Sequence, residues 1–178
     1  WTDLSPYGAT ATYNTDYNEL VTNGTFSSNI TGWTDGSNAV LTHDSSNKRL
    51  VVTNSNDTFA NAYQQVTLEP GAEYEFKAQI TAISSGAVAK VDKTPTSSQT
   101  YLSPNFSTIG SHTQRFVATQ ETNYIQLTAY DADNDPVVNG NYTATFDNIS
   151  LKRVSNVIKL QEEPWFNRDS LGLPMNRI

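Results

Sequence analysis

The chain contains no cysteine. That removes disulfides, thiolate metal sites and cysteine nucleophiles, and it leaves the redox compartment unread. Charge is scarce as well: only 16% of the 178 residues are charged, and 18 acidic side chains outnumber 11 basic ones for a net charge of −7. Without a Lys/Arg patch to neutralise phosphates, a nucleic-acid partner is not expected. No apolar run approaches the ~18 residues that span a bilayer, so a membrane partner is not expected either. No basic segment followed by an apolar stretch stands at the start, so no signal peptide is visible; beginning at Trp1, the sequence reads as processed or cut from a longer polypeptide. Histidine occurs twice, as His43 and His112, and neither has the spacing of a nucleophile elbow or a zinc site. Nucleophilic catalysis needs a base held beside its Ser. Glycoside hydrolysis needs a carboxylic acid of raised pKa, and most acids here fall on turns or outward strand positions. The expectation is a protein without catalytic machinery.

What the chain does have is Ser, Thr and Asn in abundance, and segments of strict alternation. The length favours one domain with a real core. In residues 60–68, Ala62, Gln64, Val66 and Leu68 fall on one face and Tyr63, Gln65 and Thr67 on the other. Residues 73–83 repeat the pattern, with Tyr74, Phe76, Ala78 and Ile80 inward and Glu73, Glu75, Lys77 and Gln79 outward. Residues 123–131 set Ile125, Leu127 and Ala129 against Tyr124, Gln126, Thr128 and Tyr130. In 112–119, Phe116 and Ala118 oppose Arg115 and Val117. Further strands are expected at 18–23, 39–43, 49–54 and 142–154, with weaker ones at 87–91 and about 100–102. No window has sustained helical periodicity. Short strands separated by Gly, Pro and Asn turns predict an all-β, two-sheet antiparallel sandwich.

The ends differ from the middle. Residues 1–17 are polar with a Pro-Tyr-Gly turn signal and read as an N-terminal arm or linker. Residues 155–178 combine two prolines with Trp165, Phe166, Leu171, Leu173 and Met175, and read as an extended C-terminal arm. Anchors of this kind suit docking on another subunit, where a buried Trp often dominates binding; packing back on the parent domain is the equal alternative. In Asp131-Ala-Asp-Asn-Asp135, carboxylates fall two apart as at the start of a calcium loop. Pro136 and Tyr142 occupy the positions an EF-hand gives to Gly and Glu, so a solvated acidic hairpin is expected instead.

Two further motifs bracket the alternating region. Leu20-Val-Thr-Asn-Gly-Thr-Phe-Ser-Ser-Asn-Ile-Thr-Gly-Trp33 opens it and Ala144-Thr-Phe-Asp-Asn-Ile-Ser-Leu151 closes it. Together they resemble the ends of carbohydrate-binding modules of families four, nine and twenty-two, jelly-roll sandwiches of the galactose-binding-like group. The resemblance spans residues 18–154 and implies that Trp33 belongs to the core. It also implies a sugar-binding surface, since sugar C–H faces pack on aromatic rings while amides and charges reach the hydroxyls. The outward candidates are Tyr63, Gln65, Glu75, Gln79, Arg115, Tyr124, Gln126 and Tyr130, which would line one concave surface if their strands share a sheet. The competing account is a solvated strand face of the composition β-propensity selects. The same resemblance implies a structural calcium near the junction of first and last strands, with Asp147 as a ligand, although Ser27 stands where such modules carry a second acid.

Similar modules are embedded in tailed-phage structural proteins. The functional expectation is therefore a non-catalytic module of a larger, oligomeric assembly: a virion component (capsid decoration, tail or fibre) with glycan adhesion. The alternative is a glycan-binding accessory module of a secreted polysaccharide-degrading enzyme. The expected partners are a polysaccharide or cell-surface glycan and, through the arms, other structural subunits. The expected location is extracellular or in the virion.

Overall fold

A computed structural model describes residues 18–36, 39–54, 60–95, 101–132 and 141–154, with the backbone alone at 101–104. Both proposed arms, the docking residues Trp165, Phe166, Leu171 and Leu173 included, lie outside the described residues, as does most of the Asp131–Asp135 run. The described residues form ten strands: β1 (Thr34–Gly36), β2 (Ala39–Asp44), β3 (Arg49–Asn54), β4 (Ala60–Thr67), β5 (Glu73–Ile83), β6 (Gly86–Asp92), β7 (Tyr101–Phe106), β8 (Gly110–Val117), β9 (Thr122–Tyr130) and β10 (Tyr142–Arg153). They form two five-stranded antiparallel sheets, ordered β1-β4-β9-β6-β7 and β2-β3-β10-β5-β8, called here the β4 sheet and the β10 sheet. The described residues include no helix. The expected two-sheet jelly-roll sandwich is the fold observed.

The inner faces differ in side-chain size. The β10 sheet contributes Leu50, Val52, Phe76, Ile80, Phe146 and Leu151, all fully buried. Across the centre of the β4 sheet, register aligns Ala60, Ala129 and Ala87 in one row and Ala62, Leu127 and Ala89 in the next. Small residues on one layer make room for large ones on the other, which is how two pleated surfaces reach close packing. One edge is closed by rings: Phe106 stacks on Phe76 with centroids 5.7 Å apart and on His112 at 4.9 Å.

The opening segment departs from expectation. Residues 18–23 form no ladder, only an isolated bridge between Glu19 and Lys152. Asn23 (φ 53°) and Phe26 (φ 47°) adopt left-handed backbone, a conformation that ends a strand. The segment is still laced along β10. Leu20 N donates to Leu151 O at 3.0 Å and Ile149 N donates to Gly24 O at 2.9 Å. Glu19 Oε1 accepts from Leu151 N at 2.8 Å. A Cβ on Gly24 would fall 1.9 Å from Ile149 O, so only glycine permits that approach. Gln64, inward and buried, completes the fastening: its Oε1 accepts from Thr22 N at 2.7 Å, and its Nε2 donates to Thr22 O at 3.0 Å and Gly32 O at 2.9 Å. Trp33 is buried against Phe26, with ring centroids 5.6 Å apart, as expected of a core residue.

Candidate functional site

The eight outward candidates do not share a sheet. Glu75 and Gln79 lie on β5 and Arg115 on β8, in the β10 sheet; Tyr63, Gln65, Tyr124, Gln126 and Tyr130 lie on β4 and β9, in the β4 sheet. Outward residues of two stacked sheets point in opposite directions, so the single eight-residue surface is not formed. The β10-sheet trio is engaged with its own neighbours. Glu75 pairs with Lys77 Nζ at 2.9 Å and with Arg115 Nε at 3.3 Å. The Lys77 hydrogen bond holds the Glu75 carboxyl below its usual range; desolvation, the next largest effect, opposes it, and Arg115 lowers it further. Gln79 Oε1 accepts from Asn148 Nδ2 at 2.8 Å. That is a solvated, self-satisfied outer face.

The β4 sheet is different. Antiparallel register places Gln65, Tyr124 and Asp92 in one cross-strand row, Tyr63, Gln126 and Lys90 in the next, and Asn61, Thr128 and Val88 in a third. Side chains so aligned lie about 4.5–5.5 Å apart at Cβ. Tyr63 and Tyr124 meet edge to face, centroids 6.1 Å apart and planes at 72°; both are partly exposed, and Gln65 beside them is open to solvent. Gly36 on β1 makes space for this arrangement, because a Cβ there would lie 2.6 Å from Asn61 Oδ1 and 3.1 Å from the Tyr63 ring. Tyr130, at the far end of β9, lies against Gly86.

Next to the tyrosines the outer face is not solvated at all. Asn61 and Asp92 are fully buried, and Gln126, Lys90 and Thr128 are nearly so. Lys90 Nζ lies 2.8 Å from Asp92 Oδ2, with the two side chains 5% and 0% exposed. The chain leaving β6 turns back over them. Asp92 Oδ1 accepts from Lys93 N at 2.6 Å; Gln126 Nε2 donates to Thr94 O; Asn61 Nδ2 donates to Pro95 O at 2.7 Å. Asn61 Oδ1, wholly buried, accepts no hydrogen bond. Outward parity on β4 and β6 is the sequence signal that places Asn61, Lys90 and Asp92 on this outer face; that the chain leaving β6 folds over them is not written in the alternation.

Both histidines are held against backbone carbonyls. His43 Nε2 lies 2.7 Å from Phe26 O, and His112 Nε2 lies 2.7 Å from Thr108 O. Asp147 sits on the outer side of β10 opposite Gln79, where its Oδ1 accepts from Asn148 N at 2.7 Å. Among the described residues no three His, Asp or Glu converge on a point. Calcium takes six to eight oxygens, so an ion at Asp147 would draw chiefly on backbone carbonyls.

The two antiparallel sheets, one with a tyrosine-and-amide outer face, form a jelly-roll sandwich. The family model described as carbohydrate binding domain, of the family four and nine type, matches residues 18–138. The chain belongs to that family. Among solved structures it is similar to a family 4 carbohydrate-binding module (TM-score 0.51, 18% identity, 73% of this chain and 100% of that one). It is also similar to a family 16 carbohydrate-binding module (TM-score 0.50, 21% identity, 74% and 98%). An arabinose-bound α-L-arabinofuranosidase shares the fold over 77% of this chain and 26% of its own (TM-score 0.50, 13% identity). At these identities the likeness concerns the fold. No curated protein matches the chain.

Proposed function

We propose that this domain is a non-catalytic glycan-binding module that takes a sugar chain on the outer face of the β4 sheet. The observation that carries the reading is the Tyr63–Tyr124 pair, partly exposed and flanked by Gln65, in a sheet whose neighbouring rows are built from amides and a charge pair. Rings offer stacking surface for pyranose C–H faces, and amides both donate to and accept from hydroxyls. Of the candidates named from sequence, Tyr63, Gln65, Tyr124 and Gln126 belong to this surface, with Tyr130 at its end. Glu75, Gln79 and Arg115 are left out because they lie on the other sheet and are already engaged, Glu75 with Lys77 and Arg115 and Gln79 with Asn148.

The test is calorimetric titration with four neutral hexaoses: β-1,4-glucan, β-1,4-xylan, β-1,3-glucan and β-1,4-galactan. Binding to at least one is expected, with loss in a Tyr63→Ala, Tyr124→Ala variant of unchanged melting temperature. Binding that survives the double substitution refutes this location.

The setting is a proposal of the same kind. The sparse charge and the anchors Trp165, Phe166, Leu171 and Leu173 support attachment to other subunits of an extracellular or virion assembly such as a capsid decoration or tail fibre. An accessory module of a secreted polysaccharide-degrading enzyme is the alternative. Deleting residues 155–178 separates them: assembly into a larger particle fails only if the arm docks.

A further inference from the structure

Burying a charge pair on the outer side of a sheet is costly, and replacement by apolar residues is often neutral or stabilising. Yet Lys90 and Asp92 are buried there, beside Asn61, whose Oδ1 has no partner and is fully enclosed. An unmet acceptor beneath a cover calls for an explanation. Residues 93–95 lie over this floor, held by their own backbone: the carbonyls of Thr94 and Pro95 take the amide protons of Gln126 and Asn61. Those oxygens occupy the places that hydroxyl oxygens of a bound sugar would take on the same donors.

We propose that Asn61, Lys90, Asp92 and Gln126 form a second, covered subsite continuous with the tyrosine pair, and that residues 93–95 act as a built-in stand-in for ligand that a neutral sugar displaces. This rests on the glycan-binding reading above. The class of ligand follows from charge and donor count. Lys90 is neutralised by Asp92, so the floor has no net charge to attract an acidic sugar. Neutral hydroxyls can both donate, to Asn61 Oδ1 and Asp92 Oδ2, and accept, from the amides of Asn61 and Gln126. A sugar unit reaching this floor therefore meets the two oxygens, Asn61 Oδ1 and Asp92 Oδ2, that accept no hydrogen bond beneath the strap. Displacement also lowers the measured affinity by the fraction of time the floor is uncovered.

Two readouts on the full chain test this. Acetylation by an N-hydroxysuccinimide ester, followed by mass spectrometry, measures how often Lys90 is uncovered, with exposed Lys48 and Lys77 as internal references. Titration with the four neutral hexaoses measures binding. In the unaltered protein Lys90 labels at least a hundredfold more slowly than Lys48. Pro95→Gly loosens the strap through chain entropy and is expected to raise both the Lys90 labelling rate and hexaose affinity about tenfold. Asn61→Ala raises labelling but weakens binding, because it removes a strap anchor and a floor group together. Labelling of Lys90 as fast as Lys48 overturns the covered state. Faster labelling in Pro95→Gly with affinity unchanged overturns the subsite while leaving the tyrosine site standing. If no hexaose binds either form, the glycan reading falls and this subsite with it, and slow labelling then reports residues 93–95 as plain structure.

Discussion

Removing the ammonium of Lys90 leaves Asp92 as a buried carboxylate with no countercharge. In the fold the two side chains are 5% and 0% exposed and 2.8 Å apart, so solvent cannot take over the role. Breaking such a pair from one side costs about 3–5 kcal/mol, against a total of about 5–15 kcal/mol for a domain of ordinary stability. Lys90→Met keeps most of the aliphatic volume and isolates the charge. With an m-value of about 2 kcal/mol/M in urea, the midpoint should fall by about 1.5–2.5 M. Replacing both partners, Lys90→Met with Asp92→Leu, removes the desolvated charge as well and should recover most of that loss, giving a coupling energy of about 2–3 kcal/mol in the double-mutant cycle. Equilibrium unfolding of the four proteins, followed by tryptophan fluorescence, supplies the numbers. A Lys90→Met midpoint within about 0.2 M of the unaltered protein, the size expected of a solvated surface pair, would show that the pair is hydrated and that residues 93–95 do not seal it.

Three further outcomes follow from the geometry. Gly24→Ala drives a methyl into the Ile149 carbonyl, 1.9 Å from its oxygen, and should cost at least about 2 kcal/mol; a melting temperature within 1 °C of the parent would contradict the close approach. Glu75 and Asp44 both have carboxyls held below their ordinary values of 4.5 and 3.8, the first mainly by Lys77 and the second mainly by Asn47. A lowered folded-state pKa adds stability above the unfolded value and loses it as pH falls through the folded one. Stability should therefore decline below about pH 4.5, less steeply in Glu75→Gln; an identical acid limb in that variant would refute the assignment. Calcium at Asp147, with so few carboxylates, should bind no more tightly than about 10⁻⁴ M. One millimolar calcium would then stabilise the EGTA-treated protein by no more than about 1.4 kcal/mol, and Asp147→Ala should abolish the gain; a gain indifferent to that substitution places the ion elsewhere.

The alternation of apolar and polar residues carried the strands and their inward faces. Tyr74, Phe76, Ala78 and Ile80 on β5, and Ile125, Leu127 and Ala129 on β9, are all buried as the period of two requires. Partnership between strands was less legible. Nothing in the alternation of β5 tells whether its neighbours are β4 and β9 or β10 and β8, since both sheets have the same inside-outside pattern, and so Glu75 and Arg115 were grouped with Tyr63 and Tyr124. The opening segment misled for a different reason: Leu20-Val-Thr has strand composition, while Asn23, of a type common in left-handed backbone, and Phe26, of a type rarely found there, both adopt it. The buried outer face was hidden because its cover is a loop, and whether a loop lies on a sheet or stands away from it depends on carbonyl placement that side-chain pattern does not record.

The lacing of Leu20 to Leu151 and of Glu19 to Lys152 brings the first and last residues of the sandwich to one spot. A polypeptide therefore steps into and out of this unit through a doorway only one strand spacing wide, about 4.8 Å. A unit with that property can be spliced into the surface turn of a host protein without stretching the host or adding a linker to span a gap. Tension applied to the two ends would be borne first by those few hydrogen bonds, peeled one at a time before the layers themselves are loaded.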